Sequence, residues 1–114
     1  MNSPPEDGPC EVTITAPDRD WLYAVVRHIV ENRLAAAAHV DAMDTIYRWA
    51  GSVHFADEAR ARLHTMSHNL PAIIDCVKQG HPFEVPCVVA IPIRDGEAEY
   101  LQWIKVNSND QGNV

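Results

Sequence analysis

Two extended runs of alternating residues meet at the dipeptide Ala50-Gly51, near the middle of the chain. A small residue followed by glycine suits a two-residue hairpin turn, where both central positions need positive φ. If the chain turns there, opposed residues have numbers that sum to 101. Ile46 then faces Phe55, Tyr47 faces His54, Asp41 faces Arg60 and Ala38 faces Leu63. The Asp41–Arg60 match is an opposite-charge cross-strand pair, which supports the register. The second arm, Ser52–Met66, divides by parity. Val53, Phe55, Ala59, Ala61, Leu63 and Thr65 are expected to face a helix-covered core. His54, Glu58, Arg60, Arg62 and His64 fall on the opposite, polar face. The first arm reads as Ala35–Val40 and Thr45–Trp49, with a polar interruption or bulge at Asp41–Asp44.

The length of this hairpin has a consequence. Leu34–Trp49 fully extended would span roughly 50 Å at about 3.3 Å per residue. A compact chain of this size has a radius of gyration of about 13 Å. The hairpin must therefore overhang its own domain or bend back on its own sheet. An overhang would leave Tyr47 and Trp49 as aromatic surface that a partner must cover, and an oligomer is the reading adopted.

Around the hairpin the apolar period changes from two to 3.6 and back. Glu11–Ala16 is an alternating β-branched strand. Pro17 and Asp18 open a helix running to about Asn32, with Leu22, Val25, Val26, Ile29 and Val30 on one face. Ser67 is expected to cap a second helix that carries Leu70, Ile73, Ile74 and Val77 and ends at Gly80. Val85–Ile93 reads as a further strand, Asp95-Gly96 as a turn and Tyr100–Lys105 as a last helical turn. The order βαββαβ predicts an α+β, ferredoxin-like sandwich: an antiparallel sheet with two helices on one face. Residues 10–105 form the single domain, with tails at 1–9 and 106–114.

Composition excludes several classes. The 114 residues carry 9 Lys+Arg against 16 Asp+Glu, a formal charge of −7, which disfavours nucleic-acid binding. No apolar run approaches the roughly 20 residues of a membrane span, and MNSPPEDGP lacks the basic and apolar regions of a signal peptide. Three cysteines in no regular spacing predict no disulfide framework and a cytoplasmic location. Cys76 and Cys87 are expected in the core and Cys10 exposed at the tail junction.

The runs RLAAAAHV (33–40), IYRW (46–49), HPFEVP (81–86) and YLQWI (100–104), with TAPD at 15–18, resemble the CutA family of divalent-cation tolerance proteins. The likeness covers about residues 11–105. It implies a ferredoxin-like fold in a tight homotrimer, with long hairpins exchanging contacts about a three-fold axis. It also implies a geometry similar to the nitrogen-regulatory PII proteins, which bind effectors between subunits. A link to copper and other divalent metals comes with the family, and no enzymatic reaction does. This chain departs from the pattern at the soft donors. Ile14 and Ala37 stand where some members have cysteine, His64 stands where the family has lysine, and only His81 matches. Thiolates are what favour Cu(I), so any divalent cation is expected to be held weakly, and no cofactor is required.

The candidate residues follow from these readings. His81, on a rigid His-Pro step, is the metal ligand, its bland alternative being a cap on the second helix. The six histidines show no same-strand i, i+2 pair, so the others are read as structural. Arg48, Trp49, His64, Glu84 and Trp103 form the candidate ligand set of an inter-subunit cleft, with Tyr47 and Tyr100 nearby. For the aromatics the favoured reading is a trimer-interface cluster, since aromatics are common interface anchors. The expected function is a non-enzymatic, trimeric part of the divalent-metal response acting through an unknown partner protein. The alternative is a PII-like sensor of a small anionic metabolite, motivated by Arg48, Arg60 and Arg62. An enzyme using His81 and Glu84 as an acid–base pair is disfavoured, because no oriented nucleophile accompanies them.

Overall fold

In the computed structural model, which describes residues 7–109, the chain reverses at Ala50 and Gly51 with φ of +52° and +83°. Both turn residues are left-handed, the type I′ geometry whose twist matches the flanking strands. The strands it joins are β2 (Ala37–Trp49) and β3 (Ser52–Met66). Every pair from Trp49↔Ser52 to Ala37↔His64 keeps the predicted register, including Ile46↔Phe55, Asp41↔Arg60 and Ala38↔Leu63. The expected interruption at Asp41–Asp44 does not form. Arg60 instead donates two hydrogen bonds to Asp41, at 3.1 and 2.7 Å, and the ladder continues through it.

The other elements are β1 (Pro9–Ala16), α1 (Arg19–Glu31), α2 (Leu70–Lys78), β4 (Val88–Pro92) and α3 (Ala98–Asn107). The sheet is antiparallel in the order β2-β3-β1-β4. This is the ferredoxin-like α+β arrangement the element order implied. Asp18 caps α1 by accepting from the amides of Asp20 and Trp21, and Leu22, Val26 and Ile29 turn inward. They meet Val12 and Ile14 of β1, Ala61 and Leu63 of β3, and Ile73 and Val77 of α2 in one core.

Parity holds along β3 but burial does not. Ala59, Ala61, Leu63 and Thr65 are buried as expected, whereas Val53 and Phe55 are exposed, Phe55 at 77%. The cause is strand length. β1 ends at Ala16, opposite Ala59, so the seven pairs beyond it have no third strand beside them. They extend roughly 23 Å at about 3.3 Å per residue. The radius of gyration is 15.0 Å, above the roughly 13 Å of a compact domain this size.

Several boundaries differ from expectation. Ser67 does not cap α2. Its hydroxyl accepts from the Gly8 amide and donates to Asp7, so residues 67–69 form a 3₁₀ turn and α2 begins at Leu70. Asp7 also accepts from the His68 amide and ring, so the chain is anchored from Asp7 onward, before the expected start at residue 10. Residues 1–6 of the expected leading tail lie outside the described residues. At the other end α3 is longer than one turn. Glu97 caps it, Ser108 is buried, and folded structure passes residue 105; residues 110–114 lie outside the described range. The last strand starts at Val88, not Val85, because residues 81–87 cross to the hairpin. Cys10 is buried on β1 and Cys87 is exposed in that crossing segment, the reverse of the expectation for these two; Cys76 is half-buried.

Arg33 holds φ of +62° where glycine is usual. The amide of Arg33 donates to the carbonyl of Val30 and that of Leu34 to Ile29, a Schellman end to α1. The guanidinium meanwhile donates to the carbonyls of Val106 (2.8 Å) and Asn109 (3.1 Å) at the C-terminal end of α3. A cation there also complements the helix dipole.

Candidate functional site

After α2 the chain must return to β4 through a segment held by Pro82 and Pro86. Its anchor is His81. The ring Nε2 donates to the carbonyl of Thr15 at 2.8 Å, and Nδ1 accepts the Phe83 amide at 3.0 Å. A carbonyl can only accept and an amide can only donate, so this is the neutral Nε2–H tautomer. Trp21 meets the ring edge-on and Phe83 lies tilted against it, each with centroids 5.2 Å away. His81 thus joins the loop to the end of β1, and it does not take up the role of a cap on α2 carbonyls.

Beyond this anchor, Pro82–Val85 lie opposite the outer half of the hairpin, and the two enclose a cavity of about 850 Å³. That size lies in the range of small-molecule sites. Tyr47, Trp49 and Phe83 contribute aromatic surface, and Arg48 and Glu84 bring one charge of each sign. The cavity wall holds two further polar groups. Glu58 is only 8% exposed, and the Thr45 hydroxyl is buried without a hydrogen-bond partner among the described residues. Tyr47 is backed by the His54 ring, stacked at 5.3 Å, and His54 is tied to Ser52 and the Trp49 carbonyl.

A second polar centre lies at the other end of the sheet. His64 Nε2 meets Glu11 at 3.1 Å and Nδ1 meets the Tyr100 hydroxyl at 2.6 Å. Trp103 stacks on Tyr100 at 5.5 Å, and the His39 ring lies 5.1 Å from His64. The structure therefore divides the predicted ligand set. Arg48, Trp49 and Glu84 share the cavity; His64 and Trp103 do not reach it. Arg48 and the residue facing His64, Ala37, lie eleven positions apart on β2, roughly 36 Å.

The metal expectation meets a similar limit. As His81 lies here, both its nitrogens are hydrogen-bonded, and binding an ion would require Nδ1 to release the Phe83 amide. Among the described residues no three His, Cys, Asp or Glu side chains converge to hold a metal ion. The donor set does not fit a closed copper site. Electrostatic shifts are few. The Arg60 hydrogen bonds hold the Asp41 carboxyl below its ordinary 3.8. Burial pushes the Cys10 and Cys76 thiols up, with smaller contributions from Asp7 and Asp75.

Sequence reasoning missed Glu58, Thr45 and Arg33. Parity placed Glu58 on the open face, and nothing local announced that residues 82–85 would cover it. No helix among the described residues is long and apolar enough to cross a membrane.

Comparison with known proteins adds a family. A model of the CutA1 divalent ion tolerance protein matches residues 10–107. The divalent-cation tolerance protein CutA of Thermus thermophilus is 38% identical over 98 residues, covering 85% of this chain and 95% of that protein. Protein CutA of Bos taurus is 35% identical over 92 residues, 81% of this chain; the chain spans about half of that relative, 52%. Among solved structures, the periplasmic divalent cation tolerance protein CutA from Archaeoglobus fulgidus superposes with a TM-score of 0.85. It is 29% identical and is covered to 99%, against 89% of this chain.

Proposed function

The chain belongs to the CutA1 divalent ion tolerance family, and from that premise we propose that it acts as a homotrimer in the cellular response to divalent metal ions, copper among them. The observation that carries the assembly is the uncovered hairpin. Ile46 (69% exposed), Phe55, Val53 and Trp49 lie on a β-ribbon with a free outer edge on β2. Apolar surface and an open strand edge of this extent call for a protein partner, and copies of the same chain are the one the family resemblance implies.

The protein is proposed to be non-enzymatic. The ring nitrogens of both His64 and His81 are already engaged, so neither stands free as a base. A divalent cation enters this reading as the signal to which the protein responds, touching it weakly through His81, not as a resident cofactor. A cytoplasmic site is consistent with three unpaired cysteines. Transmission to a partner protein completes the reading.

A second reading, a PII-like effector sensor, is favoured by the cavity beside Arg48. Arg60 no longer supports it, since that side chain is bound to Asp41.

Sedimentation equilibrium at micromolar concentration tests the assembly, with a mass near three times 12.7 kDa expected. Copper titration of wild type and His81→Ala tests the contact. Weak binding that is lost in the variant is expected. Expression in a copper-sensitive bacterium tests the role. A monomer, or unchanged copper sensitivity, would sink the proposal.

A further inference from the structure

We infer that the cavity between the outer hairpin and residues 82–85 is a binding site for a small organic cation: an ammonium head with an apolar body, its charge held by Glu58. The inference takes the cavity of the sensor reading but replaces its anionic ligand with a cation, and it rests on the cavity alone.

The argument starts from Glu58. Its side chain lines the cavity, is more than nine-tenths buried, and has neither an ion pair nor a hydrogen bond among the described residues. Its oxygens are not sealed off, since Thr45 Oγ1 is the one fully buried side-chain polar atom without a partner among the described residues, so the carboxylate is open to the cavity without a donor. Of the arginines flanking it on β3, Arg60 is committed to Asp41 on the neighbouring strand, and Arg62 lies farther along, opposite His39. The Thr45 hydroxyl is unpartnered in the same wall but has almost no accessible surface, so the carboxylate is the acceptor open to a ligand. An unpaired carboxylate lining a cavity describes a receptor for a group that carries N–H donors.

The walls favour the same chemistry. Aromatic faces stabilise a cation near them, and Tyr47, Trp49 and Phe83 all line the space. With Arg48 and Glu84 of opposite sign, Glu58 leaves the lining one charge negative. The chain's overall charge of −7 raises the local concentration of cations further. An anion would meet the buried Glu58 and is disfavoured. A bare metal ion would find Glu58 without two further ligands in reach. The volume, about 850 Å³, accommodates an apolar body behind the charged head.

The test is calorimetry on the full chain at pH 7 with three probes of nearly equal shape: phenethylammonium, phenylacetate and 2-phenylethanol. Phenethylammonium should bind about tenfold or more tightly than the other two, as a charge-assisted contact predicts. Glu58→Gln, which keeps size and shape, should erase that preference. Phe83→Leu should weaken the cation several-fold and the alcohol less. Sedimentation of Glu58→Gln should match wild type, so that a loss of binding is not a loss of assembly. Unchanged phenethylammonium affinity in Glu58→Gln would overturn the inference. Tighter binding of phenylacetate would also overturn it, while leaving an anion sensor standing. No heat with any probe at millimolar concentration would overturn it too, and would mean that a neighbouring subunit fills the space.

Discussion

Replacing Phe55 with threonine should dissociate the proposed trimer without unfolding the chain. Phe55 is 77% exposed and faces Ile46, itself 69% exposed, on the part of the hairpin that lacks a third strand. A phenylalanine carries about 200 Å² of surface, so roughly 150 Å² remains for a partner to bury, worth about 4 kcal/mol at 25 cal/mol per Å². Threonine keeps β-propensity and part of the area, so the loss is about 3 kcal/mol per protomer and about 9 kcal/mol over three. Area converts incompletely to affinity, and half of that sum is a conservative figure. Even so, the trimerisation constant should fall by about a thousandfold. Within one chain the side chain packs against little, so folding should shift by less than about 0.5 kcal/mol. Sedimentation velocity from 1 to 50 μM, with circular dichroism on the same samples, reads both quantities. A variant that stays trimeric across that range would refute the reasoning. So would one that unfolds, because Phe55 would then be part of the core.

Arg33→Ala keeps the strained φ and removes two bonds to the end of α3, so it should lower stability by about 1–3 kcal/mol; Arg33→Gly relieves about 1 kcal/mol of strain and should lose less, as urea melts would show. The Arg60 hydrogen bonds depress Asp41, so their stabilisation is full above the ordinary 3.8 and is lost as pH falls through the lower folded value. Asp41→Asn should therefore be less stable than wild type at pH 7, with the gap closing as pH falls below 3.8. Asp7 behaves alike: burial raises it, but hydrogen bonds from His68 and Ser67 outweigh that and leave it lowered, so anchoring of the leading segment should loosen over the same acid range, read by amide exchange at Gly8 and His68. A thiol reagent should modify Cys87 well before Cys10, whose thiol is buried and pushed up; equal rates on mass spectrometric mapping would contradict the burial described.

The hairpin was legible because its information is local. A side-chain period of two and a turn that only certain residues tolerate fix the register of thirteen pairs, and the Asp41–Arg60 match needed no knowledge of the rest of the fold. Element order gave the sheet for the same reason: each period reports its own segment. What covers a segment is not local. Parity put Phe55 and Leu63 on one face, but only the shorter length of β1 decided that Leu63 is buried and Phe55 is not. Cys10 went inside because β1 is a central strand, and Cys87 stayed outside because residues 82–85 leave the sheet to meet the hairpin. His81 stood out by its His-Pro step, yet its bond to the Thr15 carbonyl spans 66 residues and is set by how α2 returns to β1. Glu58 had no distinguishing pattern at all. Its burial arises where two distant segments close over each other, and solvent exclusion of that kind is a property of the packed chain, not of any stretch of it.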